Sequence, residues 1–158
     1  MAFQNLNAAL RQVGGLVVSR LSQGLQESNS NASGELEQSI GFNVFNRRNL
    51  IGVNIEMLDY WVYVDEGRRA GRMPPVSKIQ EWLTYPNVKT KIAGRDDANL
   101  ESLAYSIAKK IGEKGTKGTD FATNVFESRL VQREVPQLIE DSVGQDIEQL
   151  LDKAFQID

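Results

Sequence analysis

The segment Gly112-Glu113-Lys114-Gly115-Thr116-Lys117-Gly118-Thr119 holds the residue types that cradle phosphate: glycines for close backbone approach, lysines, and threonine hydroxyls ahead of a helix. Their order does not fit a nucleotide-binding loop, which follows a strand and ends in Gly-Lys-Ser/Thr. Here the segment follows a lysine-tipped helical pattern and Lys117 precedes the last glycine, so it reads as a helix-to-helix connection exposed for partner contact. A second cluster, Arg68, Arg69 and Arg72, could hold DNA phosphates, with Tyr60, Trp61 and Tyr63 nearby to stack bases. The same arginines beside Met73, Pro74 and Pro75 also have the composition of a protein interface, where Arg and aromatic residues are enriched. The acidic pairs Asp65-Glu66, Asp96-Asp97 and Glu140-Asp141 lack the spacing of an EF-hand, and adjacent helical residues point to different faces.

Much other chemistry is absent at the level of composition. The 158 residues include no Cys and no His, which removes thiol and imidazole nucleophiles, imidazole acid/base catalysis, thiolate or imidazole metal sites, and disulfides. Neither a Gly-x-Ser-x-Gly nor a catalytic Ser-x-x-Lys arrangement is present. The reading is of a non-enzyme without metal or cofactor. Hydrophobic residues make up 41% and charged residues 25% of the chain, the balance of one globular domain spanning residues 1–158. The longest apolar runs, at 15–18 and 60–64, fall far short of the ~20 residues that a membrane-spanning helix needs. The first residues lack the basic flank and apolar stretch of a secretory signal, so the protein is expected to stay where it is made.

The net charge of −3 is a cancellation. Residues 1–67 carry 4 basic and 7 acidic groups, 68–117 carry 11 and 5, 118–133 carry 2 and 2, and 134–158 carry 1 and 7. A basic middle and an acidic end suit either solvated helix faces or head-to-tail assembly of identical copies.

The elements that must position these groups follow from periodicity. Phe3, Leu6, Leu10, Val13, Val17, Leu21 and Leu25 form one stripe of an amphipathic helix, in which Gly14, Gly15 and Gly24 require compensating packing or a bend. A polar turn-rich stretch follows at 28–34. Alternation over 36–57 then predicts two strands, joined by Asn46-Arg47-Arg48-Asn49 into an antiparallel hairpin with a basic tip at Arg47 and Arg48. Such a hairpin is marginal alone and needs a strand, a helix or another subunit on its apolar face. Residues 60–67 read as a short helix closed by Gly67. Pro75 opens a helix bearing Val76, Ile79, Trp82 and Leu83, which ends at Tyr85-Pro86-Asn87. Residues 90–94 suit a short strand. Asp96 or Asp97 would cap a helix through Ile111, with Gly115 at its C-cap. Thr119 would cap a helix beginning at Asp120, Pro136 would interrupt it, and Ile139, Val143, Ile147, Leu150, Leu151 and Phe155 mark a final helix. The fold class is α+β: an N-terminal helix packed on a small antiparallel sheet with a β-hairpin core, followed by several C-terminal helices.

The order of these features resembles the neck and tail-completion (head-tail joining) proteins of tailed bacteriophages. In that family a Gly-x-Leu-x-x-Ser-Ile element precedes the sheet, matched here by Gly34 through Ile40. A Tyr-x-x-Tyr-Val-(Asp/Glu)-x-Gly segment follows it, matched by Tyr60 through Gly67, and runs into a basic Gly/Pro loop. A subset has Gly-x-Met-Pro-Pro-Val-x-x-Ile-x-x-Trp-Leu, matched by 71–83, then Leu-Ala-Tyr-x-Ile-Ala-x-x-Ile, matched by 103–111, and Lys-Gly-Thr-x-Phe, matched by 117–121. Asp120 departs from the Pro or small residue that many relatives carry. The resemblance implies a structural virion protein, made in the host bacterial cytoplasm, that forms a homo-oligomeric, sixfold ring between the portal or head-completion protein and the tail tube or tail terminator. Such a ring could also contact DNA through its lumen; a DNA-contacting module that holds the genome end and a tail terminator capping the tube are the alternatives. On that reading the expected protein contacts are Arg47 and Arg48 at the hairpin tip, Arg68, Arg69, Arg72 and Met73 in the basic loop, and Lys117, Gly118, Thr119 and Phe121.

Overall fold

The computed structural model describes residues 3–28, 33–47, 50–92 and 99–155. The chain is α+β, with elements in the order α1 (Gln4–Glu27), α2 (Glu35–Ser39), β1 (Gly41–Arg47), β2 (Leu50–Glu56), α3 (Trp61–Asp65), β3 (Gly67–Arg68), α4 (Val76–Leu83), α5 (Pro86–Lys89), a 3-10 turn (Thr90–Ile92), α6 (Leu100–Lys114), β4 (Thr116–Lys117), α7 (Phe121–Phe126), a π-helical turn (Leu130–Glu134) and α8 (Val135–Phe155). Among the described residues no helix is long and apolar enough to cross a membrane. The chain divides into two compact units, one of Met1–Gly24, Ser39–Met57 and Ala122–Asp158, the other of Leu25–Gln38 and Leu58–Phe121.

In the first unit, Leu6, Leu10, Val13, Val17 and Leu21 are buried, as the three-and-four spacing of α1 requires. The hairpin pairs Phe42 with Ile55, Val44 with Val53 and Asn46 with Ile51, so Phe42, Val44, Ile51, Val53 and Ile55 share one face. A Cβ at Gly14 would overlap the Phe42 ring, so this glycine lets the strand approach the helix, whereas Gly15 meets open space. The opposite face carries the Phe45 ring over Gly52, the Asn43–Asn54 pair and Leu50.

Helix α1 follows Phe3, whose side chain has no hydrogen-bond acceptor to cap it, and has no acidic group in its first turn. Its first N–H groups are instead satisfied from α8: Asp146 Oδ1 accepts the Asn5 N–H and side-chain amide, each at 3.0 Å, and Oδ2 accepts the Leu6 N–H at 2.9 Å. Burial opposes ionisation of this carboxyl, but the N–H groups of Leu6, Asn5 and Gln4 and the Asn5 amide together outweigh it and hold it below the usual carboxylate range.

In the second unit, Leu83, Val88 and Ala104 form the centre of a small core between α4, α5 and α6, closed by Val76, Ile79, Leu100, Leu103 and Ile107. Pro75 precedes α4 and Gly115 ends α6 with φ +73°, both as expected.

Several local expectations are corrected. Leu36 lies in a helical turn rather than a strand, because Gly34 with φ +79° accepts the Gln38 N–H and starts α2. Thr90 to Ile92 form a 3-10 turn continuing α5, not a strand. Arg68, placed in a loop from sequence, pairs as a strand with Thr116. The helix after Thr119 begins one residue later than Asp120 and breaks at Phe126, and a π-helical turn carries the chain into α8 before Pro136, which sits in the first turn of that helix. Asp96 and Asp97 lie outside the described residues.

Candidate functional site

The basic loop and the glycine-rich segment, separated in sequence by about half of the second unit, are laced together backbone to backbone. Helix α3 ends with the Glu66 N–H on the Val62 carbonyl at 2.8 Å. The chain then enters the β3–β4 ladder, which pairs Gly67 with Lys117 and Arg68 with Thr116. The Thr116 hydroxyl accepts the Arg68 N–H at 3.0 Å. Beyond the ladder the Asp120 N–H donates to the Asp65 carbonyl at 2.9 Å, and on the other side the Gly71 N–H donates to the Gly112 carbonyl at 2.7 Å. Thus residues 65–71 are bound along their length to residues 112–120.

Such close backbone contact explains the glycines. A Cβ at Gly115 would overlap the Arg68 carbonyl and would also sit at φ +73°. At Gly118 it would overlap the Asp65 carbonyl. The glycine pattern that invited a phosphate-loop reading is therefore used to let two backbone segments touch.

Thr119 does not cap a helix. Its N–H and hydroxyl both donate to the Val64 carbonyl, at 3.0 and 2.9 Å, closing the C-terminal turn of α3. Asp120, at φ +54°, makes the bend from which α7 departs. Phe121 is corrected as a contact residue: it is 2% exposed and serves as core, because the bend at Asp120 turns its ring inward.

What remains outside is a cationic platform. Arg69, Arg72, Lys114 and Lys117 are exposed, and Arg68 is half-buried because its guanidinium donates to the Arg72 carbonyl at 2.9 Å and braces the loop. Met73 is partly exposed beside Pro74 and Pro75, and with Arg68, Arg72 and Val76 these residues line a cleft of about 540 Å³. An adjoining cleft of about 510 Å³ runs from Val76 to Tyr105, Ser102 and Glu101 on α6. The structure thus brings Arg68, Arg69, Arg72 and Met73 together with Lys117, Gly118 and Thr119. Arg47 is exposed at the end of β1 in the other unit, and Arg48 lies outside the described residues.

No group of three or more acidic side chains converges as a metal site among the described residues. Two features escaped the sequence reading. Asp146 looked like one more acid of a solvated helix, and the only hint was the uncapped start of α1. The second is the exposure of the α8 stripe: Ile147, Leu150 and Leu151 are about half exposed and Phe155 is 80% exposed, while the buried residues of α8 are Ser142 and Asp146. No protein-family model, curated protein or solved structure matches the chain.

Proposed function

We propose that this chain is a non-enzymatic structural protein that assembles with copies of itself into a ring at the neck of a tailed phage particle, joining the portal or head-completion complex to the tail. The observation that supports the reading most is the apolar surface its fold leaves uncovered. Among the described residues of the β1–β2 hairpin none is fully buried even with α1 on its apolar face, and the α8 stripe is open. Surfaces of this kind mark association, and a ring demands two different complementary patches on each copy. The cationic platform and the acidic end of the chain supply opposite signs for such a head-to-tail contact. The motifs at 34–40, 60–67, 71–83, 103–111 and 117–121 point to the phage neck in particular.

The cations at Arg69, Arg72, Lys114 and Lys117 also favour a second reading, a module that holds the end of the packaged DNA. Salt separates the two. Phosphate binding weakens steeply as salt rises, whereas an apolar interface survives it. The test is the native mass of the full chain by light scattering over a concentration series at low and high salt. A closed ring at both salts supports the neck reading. A monomer that binds duplex DNA only at low salt supports the other.

A further inference from the structure

We propose that the C-terminal half of α8 is a docking helix whose seat is the arginine-edged groove of a second copy of this chain, an inference that rests on the assembly reading above. On α8 the apolar positions Ile147, Leu150, Leu151 and Phe155 form one stripe. Asp141, Glu148 and Asp152 follow one another along one edge of that stripe, spaced seven and four residues apart, and all three are exposed. The helix therefore presents an apolar band with an acidic border. The groove offers the complement: Met73, Pro74, Pro75, Val76 and Tyr105 supply an apolar floor, Arg68 and Arg72 line one end, and the exposed Arg69 follows Arg68 in the chain. Its two clefts, which share Val76 as a wall, have room for side chains of the size of Leu151 and Phe155. Glu101 at the far end repels an acidic border, so the helix must lie with Glu148 and Asp152 toward the arginines.

Charge identifies the occupant. Arg69, Arg72, Glu148 and Asp152 are all exposed, and none of them enters an ion pair such as Lys78–Glu81, Lys109–Glu113 or Arg129–Glu134 among the described residues. A helix groove that takes an amphipathic helix with anchors at spacings of three and four is an established recognition mode, and here both halves occur on one chain. A contact between unlike surfaces of identical copies is heterologous and can close a ring.

The natural absence of cysteine permits a direct test. Full-length chains bearing Leu151→Cys are mixed with chains bearing Met73→Cys, and a short bifunctional thiol reagent is added. The expected result is an interchain product from the mixture. Its yield falls at least about tenfold when Glu148→Arg and Asp152→Arg accompany Leu151→Cys, and returns when the groove copy also carries Arg69→Glu and Arg72→Glu. Reversed-helix and reversed-groove chains, each unable to assemble alone, should co-assemble when mixed. Wild-type mass in both reversed variants with no cross-link overturns the docking site and leaves the assembly reading standing. A monomer at every concentration with no cross-link overturns both. A product only within single chains carrying both cysteines assigns the helix to its own groove and overturns the second-copy proposal.

Discussion

The Asp146 carboxylate accepts the Leu6 N–H at 2.9 Å across 140 residues of sequence, so α8 supplies the N-terminal cap that α1 lacks. One side chain thereby joins a helix start to a helix interior, and the loss of that carboxylate leaves buried N–H groups without acceptors. Asp146→Ala should lower the melting temperature by several degrees, and Asp146→Asn, which keeps the shape but loses the charge and one acceptor oxygen, by less. Circular dichroism melts of the three proteins check the order.

The same contact makes stability depend on acid. The folded-state pKa of Asp146 lies below its ordinary value of 3.8, so its contribution is complete above that value and is lost as the pH falls through the folded pKa. Wild-type stability should therefore decline below about pH 3.8 more steeply than that of Asp146→Asn. Urea titrations at a series of pH values would measure the difference. Parallel curves for the two proteins would remove Asp146 from the explanation.

Two adjacent glycines of α1 should respond with opposite sign. Gly14→Ala drives a methyl into the Phe42 ring and should destabilise the hairpin face by about 1–3 kcal/mol. Gly15→Ala meets open space in a helix interior and should stabilise by about 0.5–1 kcal/mol. Chemical denaturation of both single variants is sufficient.

In the platform, Gly115→Ala combines a left-handed φ with overlap on the Arg68 carbonyl and should cost about 1–3 kcal/mol. Thr119→Val removes the hydroxyl that donates to Val64 and should cost about 1 kcal/mol. Hydrogen exchange should localise both effects to residues 64–71 and 112–120. Loss of protection confined to α1 or the hairpin would show that the lacing is not what these residues support.

On the proposed function, Arg69→Glu with Arg72→Glu should leave the melting temperature within a degree or two, since both side chains are exposed and the Arg68 brace uses only the backbone carbonyl of Arg72. The same pair should block the joining of heads to tails in a particle-assembly assay. Normal infectious particles from that variant would remove the basic loop from the interface.

Periodicity alone made the elements legible where one face of an element is buried and the other is wet. The α1 stripe, the period-two hairpin, the Pro75 start of α4 and the Gly115 end of α6 were all readable because burial, proline and glycine act on a few consecutive residues. Candidate contacts at Arg68, Arg69, Arg72 and Met73 were legible as composition. That they share a platform with Lys117, Gly118 and Thr119 was not, because a two-residue ladder and the Gly71–Gly112 hydrogen bond join backbones, and backbone groups are the same in every residue. Phe121 reads as equally apolar whether it faces a partner or the core, and only the bend at Asp120 sends it inward. The acids of α8 are chemically alike along the chain as well. Tertiary packing separates Asp146, held under the start of α1, from Glu148 and Asp152, which remain in water, because desolvation and hydrogen-bond partners come from residues far away in sequence.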